Sequence, residues 1–329
     1  MPEPNSEQPK WSQEAIMGLS RAFMESRVLL TGAELDLFTL AAAAPLTAEQ
    51  IAERIGAERR SLTIVLDALA AMGLLVKQNG AYRTEPSAAR LLAADSPDSI
   101  LPIVQHNIDL WGRWGRLTGK VAGSRTPDWS MRAFIGAMHA IARPLATRIV
   151  KLVNPAGARR LIDVGGGSGS YTLAFLEAVP QMQATIFDQP EVIEMARERV
   201  SAAGMLERVA LVAGDFSRDS LPAGHDLALV SAIIHQNSPA ENLALFRKVF
   251  AALDPGGRVV VRDHVLSPDR TQPRSGALFA VNMLVGTEGG NSYTEAEIRD
   301  ALAGAGFVGV RLIHLDTQMD GLVEAFRPR

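Results

Sequence analysis

Short apolar segments that alternate with helix-like segments most constrain how residues 156–329 can fold. Five of them are nearly continuous in Val, Ile, Leu and Ala: RRLIDVG (159–165), QATIFDQ (183–189), VALVAGD (209–215), HDLALVSAII (225–234) and GRVVVRDHVL (257–266). Strands that are apolar on both faces and separated by helices are typical of a parallel sheet covered on both sides. FVGVRLIHLD (307–316) and GLVEAFRP (321–328) flank a short turn and predict an antiparallel hairpin at one edge. The sequence therefore predicts an α/β, Rossmann-like domain with a mostly parallel seven-stranded sheet.

The first hundred residues predict a different, helical fold. Apolar residues recur at helical spacing over 11–54, Thr47 and Gln50 stand at capping-box spacing, and Gly56 is placed to end that helix. The amphipathic stretch AERRSLTIVLDALAAMGLLV follows, and Asn79-Gly80, the favoured dipeptide of a tight hairpin, joins two short strands. Three helices followed by a hairpin indicate a winged helix.

Winged helices are best known for reading DNA, and Arg59-Arg60 stand where the recognition helix would begin. However, residues 1–100 contain nine Lys and Arg against thirteen Asp and Glu. A DNA reader needs cations to neutralise phosphates. We therefore expect this domain to serve in dimerisation or scaffold packing, with no nucleic-acid partner.

The length and composition of the chain bound its organisation. A single core rarely exceeds about 250 residues, so 329 residues predict two domains. We expect a winged-helix dimerisation domain at 1–100, linking helices that contribute to the ligand pocket at 101–150, and a ligand-binding domain at 151–329. The absence of cysteine excludes disulfides, thiolate metal sites and a cysteine nucleophile. The polar start and the lack of a long apolar run predict a cytoplasmic protein with no membrane partner.

The glycine-rich turn LIDVGGGSGSY (161–171) leaves several ligands open, because such strand-to-helix turns hold phosphates, dinucleotides and nucleosides alike. A P-loop is excluded, since no lysine follows the glycines. The spacing of Gly165, Gly167 and Gly169 is GxGxG rather than the GxGxxG of dinucleotide sites. Asp163, two residues before the first glycine, would repel a pyrophosphate but can pair with an ammonium. The turn therefore favours a cationic ligand without phosphate.

Acidic residues at the next strand ends favour S-adenosylmethionine as that ligand. In an open parallel sheet, the ligand lies beyond the carboxyl ends of the strands. Asp163 would then help bind the ammonium, Asp188 would accept both ribose hydroxyls, and Gly214-Asp215-Phe216 would meet the adenine. Taken singly, a strand-end Asp is more often a helix cap and Phe216 more often core.

Several segments together resemble the plant-type and bacterial small-molecule O-methyltransferases related to caffeic acid and acetylserotonin O-methyltransferases. They are LIDVGGGSGSYTLAFL, FDQPEVI, GDF, DPGGRVVVRDHVL and GALFAVNMLVGTEGGNSYTEAEIRDALAGAGF. The resemblance covers nearly the whole chain, since that family also carries an N-terminal winged-helix dimerisation domain. It implies a homodimer, S-adenosylmethionine as cofactor with S-adenosylhomocysteine (SAH) as product, no metal, and a hydroxylated aromatic or polyketide-like acceptor.

The resemblance also implies site residues. Gly165, Asp188, Asp215 and Phe216 match cofactor-binding positions, and Ser231 lies where the family often places a cofactor-contacting lysine. For the acceptor, Phe134 and Met138 match a ring-sandwiching FxxxM segment, and Asn282 and Met283 lie on the later pocket helix. Read from spacing alone, Phe134 and Met138 are i, i+4 neighbours on an apolar helix face, and core packing is the commoner role for such a pair.

His235 matches the catalytic base of the family. A neutral imidazole within hydrogen-bond reach can take the proton of a phenol as its oxygen attacks. This chain departs from the family at the neighbouring carboxylates: Gln236 stands where Asp usually follows the base, Asp263 replaces the usual Glu, and Ser292 replaces a second carboxylate. We therefore expect Asp263, or amide groups, to orient His235.

Two other functions remain open from the sequence. Relatives that methylate carbon use the same cofactor, and the altered base set is compatible with that reaction. A winged-helix regulator that senses S-adenosylmethionine is the non-enzymatic alternative, and the acidic first domain argues against it. A metal-assisted transferase lacks support, because Asp263-His264 has no second cluster at ligand spacing.

Overall fold

The structure is a computed structural model, and it describes residues 11–123 and 130–329. The chain divides into two compact units, residues 1–115 and 116–329. The polar start used above lies mostly outside the described residues, as does part of the predicted linking segment. The predicted boundaries near residues 100 and 150 stay predictions.

The first unit contains seven helices and a small sheet within its described residues. The helices are α1 (Gln13–Arg21), α2 (Phe23–Glu34), α3 (Leu37–Leu40), α4 (Ala48–Ile55), α5 (Arg59–Ala71), α6 (Pro86–Leu92) and α7 (Leu101–Trp114). The strands β1 (Leu46–Thr47), β2 (Leu75–Gln78) and β3 (Ala81–Thr84) form an antiparallel sheet in the order β1-β3-β2. Helices α4 and α5 followed by this hairpin confirm the predicted winged helix.

Local sequence signals explain the element ends of the first unit. Thr47 and Gln50 form both hydrogen bonds of a capping box at the start of α4, and Gly56, with φ of 66°, ends that helix. Asn79 and Gly80 both have positive φ, as a two-residue hairpin of the primed type requires. These signals act between residues one to four positions apart, which is why the sequence predicted them.

The second unit contains the larger sheet. Its helices are α8 (Leu117–Ala122), α9 (Met131–Val153), α10 (Ser170–Ala178), α11 (Pro190–Ala202), α12 (Pro239–Ala252), α13 (Arg274–Gly286) and α14 (Glu295–Gly304). Its strands are β4 (Arg160–Val164), β5 (Gln183–Asp188), β6 (Val209–Ala213), β7 (His225–Ser231), β8 (Leu253–Asp263), β9 (Val265–Leu266), β10 (Tyr293–Thr294), β11 (Val308–His314) and β12 (Gly321–Phe326). The seven-stranded sheet has the order β11-β12-β8-β7-β4-β5-β6.

The topology of this sheet confirms the predicted fold class. Strands β4 to β8 pair in parallel, whereas β12 is antiparallel to both β8 and β11. The chain passes from β4 to β5 on one side and later returns to β7 on the other, so the crossover directions change between β4 and β7. Ligands of open α/β sheets bind at such a switch point, beyond the carboxyl ends of the strands. Two apolar clusters cover the sheet and hold these ends in place.

Candidate functional site: a cofactor cradle and a histidine–aspartate pair

The glycine-rich turn between β4 and α10 is tightly packed on one side and open on the other. Gly165 has φ of +67°, and a Cβ atom there would lie 2.4 Å from Cδ1 of Ile233. Gly167 also has positive φ, yet a Cβ atom there would meet no heavy atom within 4 Å. A ligand can therefore approach the backbone closely at Gly167, while Gly165 has no room for a side chain. This arrangement fits the cradle expected for S-adenosylmethionine.

Asp163 lies beneath this turn. Its carboxylate is 1% exposed and accepts a hydrogen bond of 2.6 Å from the Thr172 hydroxyl in the first turn of α10. Burial raises the pKa of Asp163 to about 6, although the Thr172 hydrogen bond opposes the shift. The observed contact links the strand end to α10. The predicted contact with the ammonium of the cofactor stays a prediction.

Asp188, at the end of β5, connects two strand ends. Its Oδ2 accepts a hydrogen bond of 2.8 Å from the Gly167 amide, and its Oδ1 accepts one of 2.7 Å from the Gln189 amide. Burial raises the pKa of Asp188 above its ordinary value. Each carboxylate oxygen has a second lone pair, so Asp188 can hold the turn and still accept from a ribose hydroxyl.

The Gly214-Asp215-Phe216 segment follows β6 beside Asp188. The Gly214 amide donates to the Asp188 carbonyl at 2.9 Å, and a Cβ atom at Gly214 would lie 2.5 Å from the ring of Phe187. Oδ1 of Asp215 accepts from the amide and the hydroxyl of Ser217, and these hydrogen bonds lower its pKa. Phe216 packs against the core, as the commoner interpretation had it, and its ring also approaches Gly165.

Ser231, at the end of β7, contacts a buried arginine that the sequence analysis missed. Its Oγ accepts from Arg262 at 3.3 Å, and Arg262 is 4% exposed. Arg262 also donates to Asp320 at 2.7 Å and lies 5.1 Å from the centroid of the Tyr171 ring. A buried cation thus occupies this strand edge beside the serine. Arg262 is an isolated cation in an apolar strand and its partner is distant in sequence, so no spacing signal pointed to this pair.

His235 and Asp263 form the clearest polar pair of the site. Nδ1 of His235 lies 3.0 and 2.9 Å from the two carboxylate oxygens of Asp263. The His235 side chain is 12% exposed, and that of Asp263 is 1% exposed. Burial opposes ionisation of Asp263, but the electrostatic attraction of His235 and the hydrogen bonds from His235 and from the His264 amide outweigh it and lower the pKa. Asp263 therefore stays ionised, holds the proton on Nδ1, and leaves Nε2 on the far side of the ring.

Gln236 and Ser292, which stand where the family has carboxylates near the base, differ in their exposure to solvent. Gln236 is exposed, whereas Ser292 is buried and its hydroxyl donates to the Gly276 carbonyl at 2.9 Å. Of the orienting groups that the sequence left open, the carboxylate of Asp263 is the one that the structure places against His235.

Phe279 of α13 packs between two histidines and was also missed. Its ring lies edge-on to His235 with centroids 4.9 Å apart, and 4.9 Å from the ring of His264. Burial lowers the pKa of His264 to about 4, so this second imidazole is neutral at physiological pH. Phe279 therefore gives the candidate base an apolar wall.

The predicted acceptor residues lie on α9 and α13. Phe134 and Met138 are 46% and 38% exposed, so the alternative that they are core residues of this unit is wrong. Asn282 is exposed and Met283 half-buried, on the helix that carries Phe279. Helix α13 contacts the 3-10 turn Ile234–Gln236, which holds His235. The acceptor role of these four residues stays a prediction.

In residues 11–123 and 130–329, no three His, Asp or Glu side chains come together as a metal site would require. Within the same residues, no helix combines the length and the apolar character needed to cross a membrane.

Comparison with known proteins gives matches over most of the chain. Residues 120–308 match the family model of the O-methyltransferase domain, and residues 17–94 match that of the O-methyltransferase dimerisation domain. The 3-hydroxy-5-methyl-1-naphthoate 3-O-methyltransferase of Streptomyces sahachiroi is 32% identical over 312 residues, which cover 91% of this chain and 90% of that protein.

Solved structures are similar as well. An O-methyltransferase family 2 protein from Planctomyces limnophilus, in complex with apigenin, is 26% identical with a TM-score of 0.81, covering 97% of each chain. PigF, a protein of Serratia sp. whose structure was solved with SAH, is 25% identical with a TM-score of 0.58, covering 96% of this chain and all of that chain.

Proposed function

This chain belongs to the O-methyltransferase family and is an S-adenosylmethionine-dependent methyltransferase; from that premise we propose that it methylates a hydroxyl group of a small aromatic or polyketide-like metabolite, with His235 as general base. The observation that carries the proposal is the pairing of His235 Nδ1 with both oxygens of buried Asp263. His235 follows β7 and Asp263 ends β8, so this pair lies at the same edge of the sheet as the glycine-rich turn that follows β4.

The cofactor site of the proposal uses the strand ends described above. Gly165 and Gly167 would form the cradle, Asp188 would accept from the ribose hydroxyls, and Gly214, Asp215 and Phe216 would contact the adenine. Asp163 would help bind the ammonium of the cofactor, and Ser231 would be a further cofactor contact. When bound, S-adenosylmethionine supplies a methyl group on a positively charged sulfur.

His235 and Asp263 perform the proton transfer in this proposal. A phenol has a pKa of about 10 and an ordinary imidazole has one of about 6.5, so complete proton transfer before the attack costs about 5 kcal/mol. Nε2 of His235 therefore takes the hydroxyl proton as the oxygen attacks, which avoids a free phenolate. Asp263 keeps the proton on Nδ1 and stabilises the imidazolium that forms. Phe279 keeps water away from one side of that imidazole.

A flat, hydroxylated acceptor fits the side chains proposed to bind it. Phe134, Met138 and Met283 offer apolar and aromatic surface, and Asn282 offers a hydrogen-bonding amide. Support also comes from the naphthoate named for the Streptomyces relative and the apigenin bound by the Planctomyces protein. Both are fused aromatic compounds with hydroxyl groups.

The test is methyl transfer from labelled S-adenosylmethionine to a panel of phenols, naphthoates, flavonoids and polyketides. With an accepted compound, His235→Ala should lower kcat about 10²- to 10⁴-fold, the usual contribution of a general base. SAH affinity by calorimetry should be unchanged, because His235 lies outside the glycine cradle. His314→Ala, on β11, is the control histidine and should keep the wild-type rate. EDTA should not affect the rate.

Near-wild-type turnover in His235→Ala would contradict base catalysis and favour methylation of carbon or simple proximity. If SAH did not bind to the wild-type protein, the proposed cofactor site itself would be wrong.

A further inference from the structure

Helix α9 has two halves with different attachments. Its C-terminal half is embedded in the core through Ala146, Ile149, Val150 and Val153. Pro144 lies inside the helix and cannot donate the backbone hydrogen bond that would cross this point. The N-terminal half, which carries Phe134 and Met138, buries Ile135 in a separate small cluster with Val192 and Met195 of α11.

His139 attaches this N-terminal half to the glycine-rich turn. Its Nδ1 lies 2.8 Å from the Ser170 hydroxyl and 3.4 Å from the Ser168 hydroxyl. The two hydroxyls are 2.8 Å apart, so the three polar atoms form a triangle in which each lies within hydrogen-bond distance of the other two. Burial, and then the positive charges of Arg199 and Arg143, hold the pKa of His139 below its ordinary value. The imidazole is therefore neutral, and its Nδ1 either accepts from a serine hydroxyl or donates to one, according to the tautomer.

The triangle links two parts of the site with different ligands. Ser168 and Ser170 flank Gly169 in the turn that forms the cofactor cradle. His139 directly follows Met138 in sequence and lies about 1.4 turns beyond Phe134, whose exposed side chain belongs to the proposed acceptor surface. These side-chain contacts therefore connect the turn directly to the half of α9 that carries Phe134 and Met138.

We propose that His139 is a positioning residue that couples occupancy of the glycine-rich turn to the ordering of residues 131–143, so that a bound cofactor strengthens acceptor binding. This inference rests on the proposed function, because it takes Phe134 and Met138 as acceptor residues. A ligand that rigidifies one element lowers the entropic cost of ordering an element bonded to it. The coupling is reciprocal, so an ordered α9 strengthens cofactor binding by the same factor.

A second attachment of α9 provides a matched control. Arg132 forms a bidentate ion pair with Glu198 of α11, at 2.9 and 3.2 Å, on the surface. This pair does not involve the glycine-rich turn. Its removal should loosen the same half of α9 without affecting the coupling.

Hydrogen exchange with and without saturating SAH tests the proposal. In the wild type, SAH should slow exchange in the turn, and it should also slow exchange in residues 131–143 by about 5-fold or more. A factor of about 5 is the lower end of the coupling usually found between two sites. His139→Ala should keep the protection of the turn and lose that of residues 131–143. His139→Asn, whose amide can replace Nδ1 in the triangle, should restore part of it. In Arg132→Ala, residues 131–143 should exchange faster than in the wild type both with and without SAH. The ratio of the exchange rates without and with SAH should equal that of the wild type.

The coupling would be contradicted if SAH protected residues 131–143 equally in His139→Ala and in the wild type. It would also be contradicted if SAH protected the turn of the wild type but not its residues 131–143. A protein that binds no SAH by calorimetry would instead contradict the proposed cofactor site. The two failures are therefore distinguishable.

Discussion

Gly165 shows how a single position decides whether the cradle can form. An alanine there would clash with Ile233, whose Cδ1 would lie 2.4 Å from the new Cβ, and Ile233 is itself 7% exposed. We predict that Gly165→Ala destabilises the protein by about 2 to 4 kcal/mol, from overpacking plus the strain of positive φ. The measurement is urea denaturation, with SAH affinity as a second readout.

Gly167→Ala is the matched control for that substitution. It has similar positive φ but open space at the Cβ position, so it should cost only about 1 to 2 kcal/mol of unfolding free energy. Equal losses in the two variants would show that backbone strain, rather than the contact with Ile233, explains the requirement for glycine.

Asp163 should make the stability of the ligand-free protein depend on pH. Its folded-state pKa of about 6 exceeds the ordinary value of 3.8, so the folded protein binds this proton more tightly than the unfolded chain. The stabilisation is complete below about pH 4 and is lost as pH rises through about 6. Relative to Asp163→Asn, the wild type should lose roughly 2 kcal/mol of unfolding free energy between pH 4.5 and 7.5.

Urea denaturation of both proteins across that range measures the difference. Because an ammonium near Asp163 would favour its ionised form, saturating SAH should reduce the loss in the wild type. Parallel pH profiles for the two proteins would contradict the buried, protonated carboxyl group.

At the scale of elements, Asp67 joins α5 to the wing of the first unit, which is the hairpin formed by β2 and β3 (residues 75–84). The Asp67 carboxylate is buried and accepts from Lys77 of β2 at 2.5 Å and from Tyr82 of β3 at 2.6 Å. Removing one partner of a buried ion pair leaves the other charge poorly solvated. We predict that Asp67→Ala lowers the stability of the wing by about 3 kcal/mol, whereas Tyr82→Phe costs about 1 kcal/mol.

Hydrogen exchange of residues 75–84 reports these changes locally. Arg90→Ala breaks an exposed ion pair with Asp98. It should change the free energy of opening of residues 75–84 by less than about 0.5 kcal/mol, because surface ion pairs usually contribute little. If Asp67→Ala lowered the stability of residues 75–84 no more than Arg90→Ala does, the structural role of the buried pair would be contradicted.

At the scale of the whole molecule, the N-terminal helix offers an apolar surface for a second copy of the chain. Every residue of α1 is exposed or half-buried, and its Ile16 and Leu19 are 55% and 66% exposed. Phe23, the first residue of α2, is 52% exposed. Residues 17–94 match the dimerisation domain of the family. We predict a homodimer by sedimentation equilibrium, and a monomer or a much weaker dimer for Ile16→Glu combined with Leu19→Glu.

Arg21→Glu, on the opposite face of α1, is the control and should remain dimeric. A wild-type monomer at micromolar concentration would contradict the predicted homodimer, and unchanged association of the double variant would place the interface elsewhere.

The sequence by itself determined the order of the elements and the residues at the strand ends. Hydrophobic periodicity, capping boxes and Asn79-Gly80 depend on neighbours a few positions apart, so they can be read without coordinates. Because parallel strands end at one edge of a sheet, the sequence also predicted that Asp163, Asp188 and Asp215 lie along that edge. The family resemblance then supplied the chemistry expected there.

Only the tertiary structure decided which side chains meet. It placed Asp263 rather than an amide against His235, buried Arg262 with Asp320, and exposed Phe134 and Met138 although their spacing suggested core. It also brought His139 to the glycine-rich turn. These contacts join residues that are tens of positions apart or depend on which helix face is covered, and the packing of the elements, not local pattern, sets both.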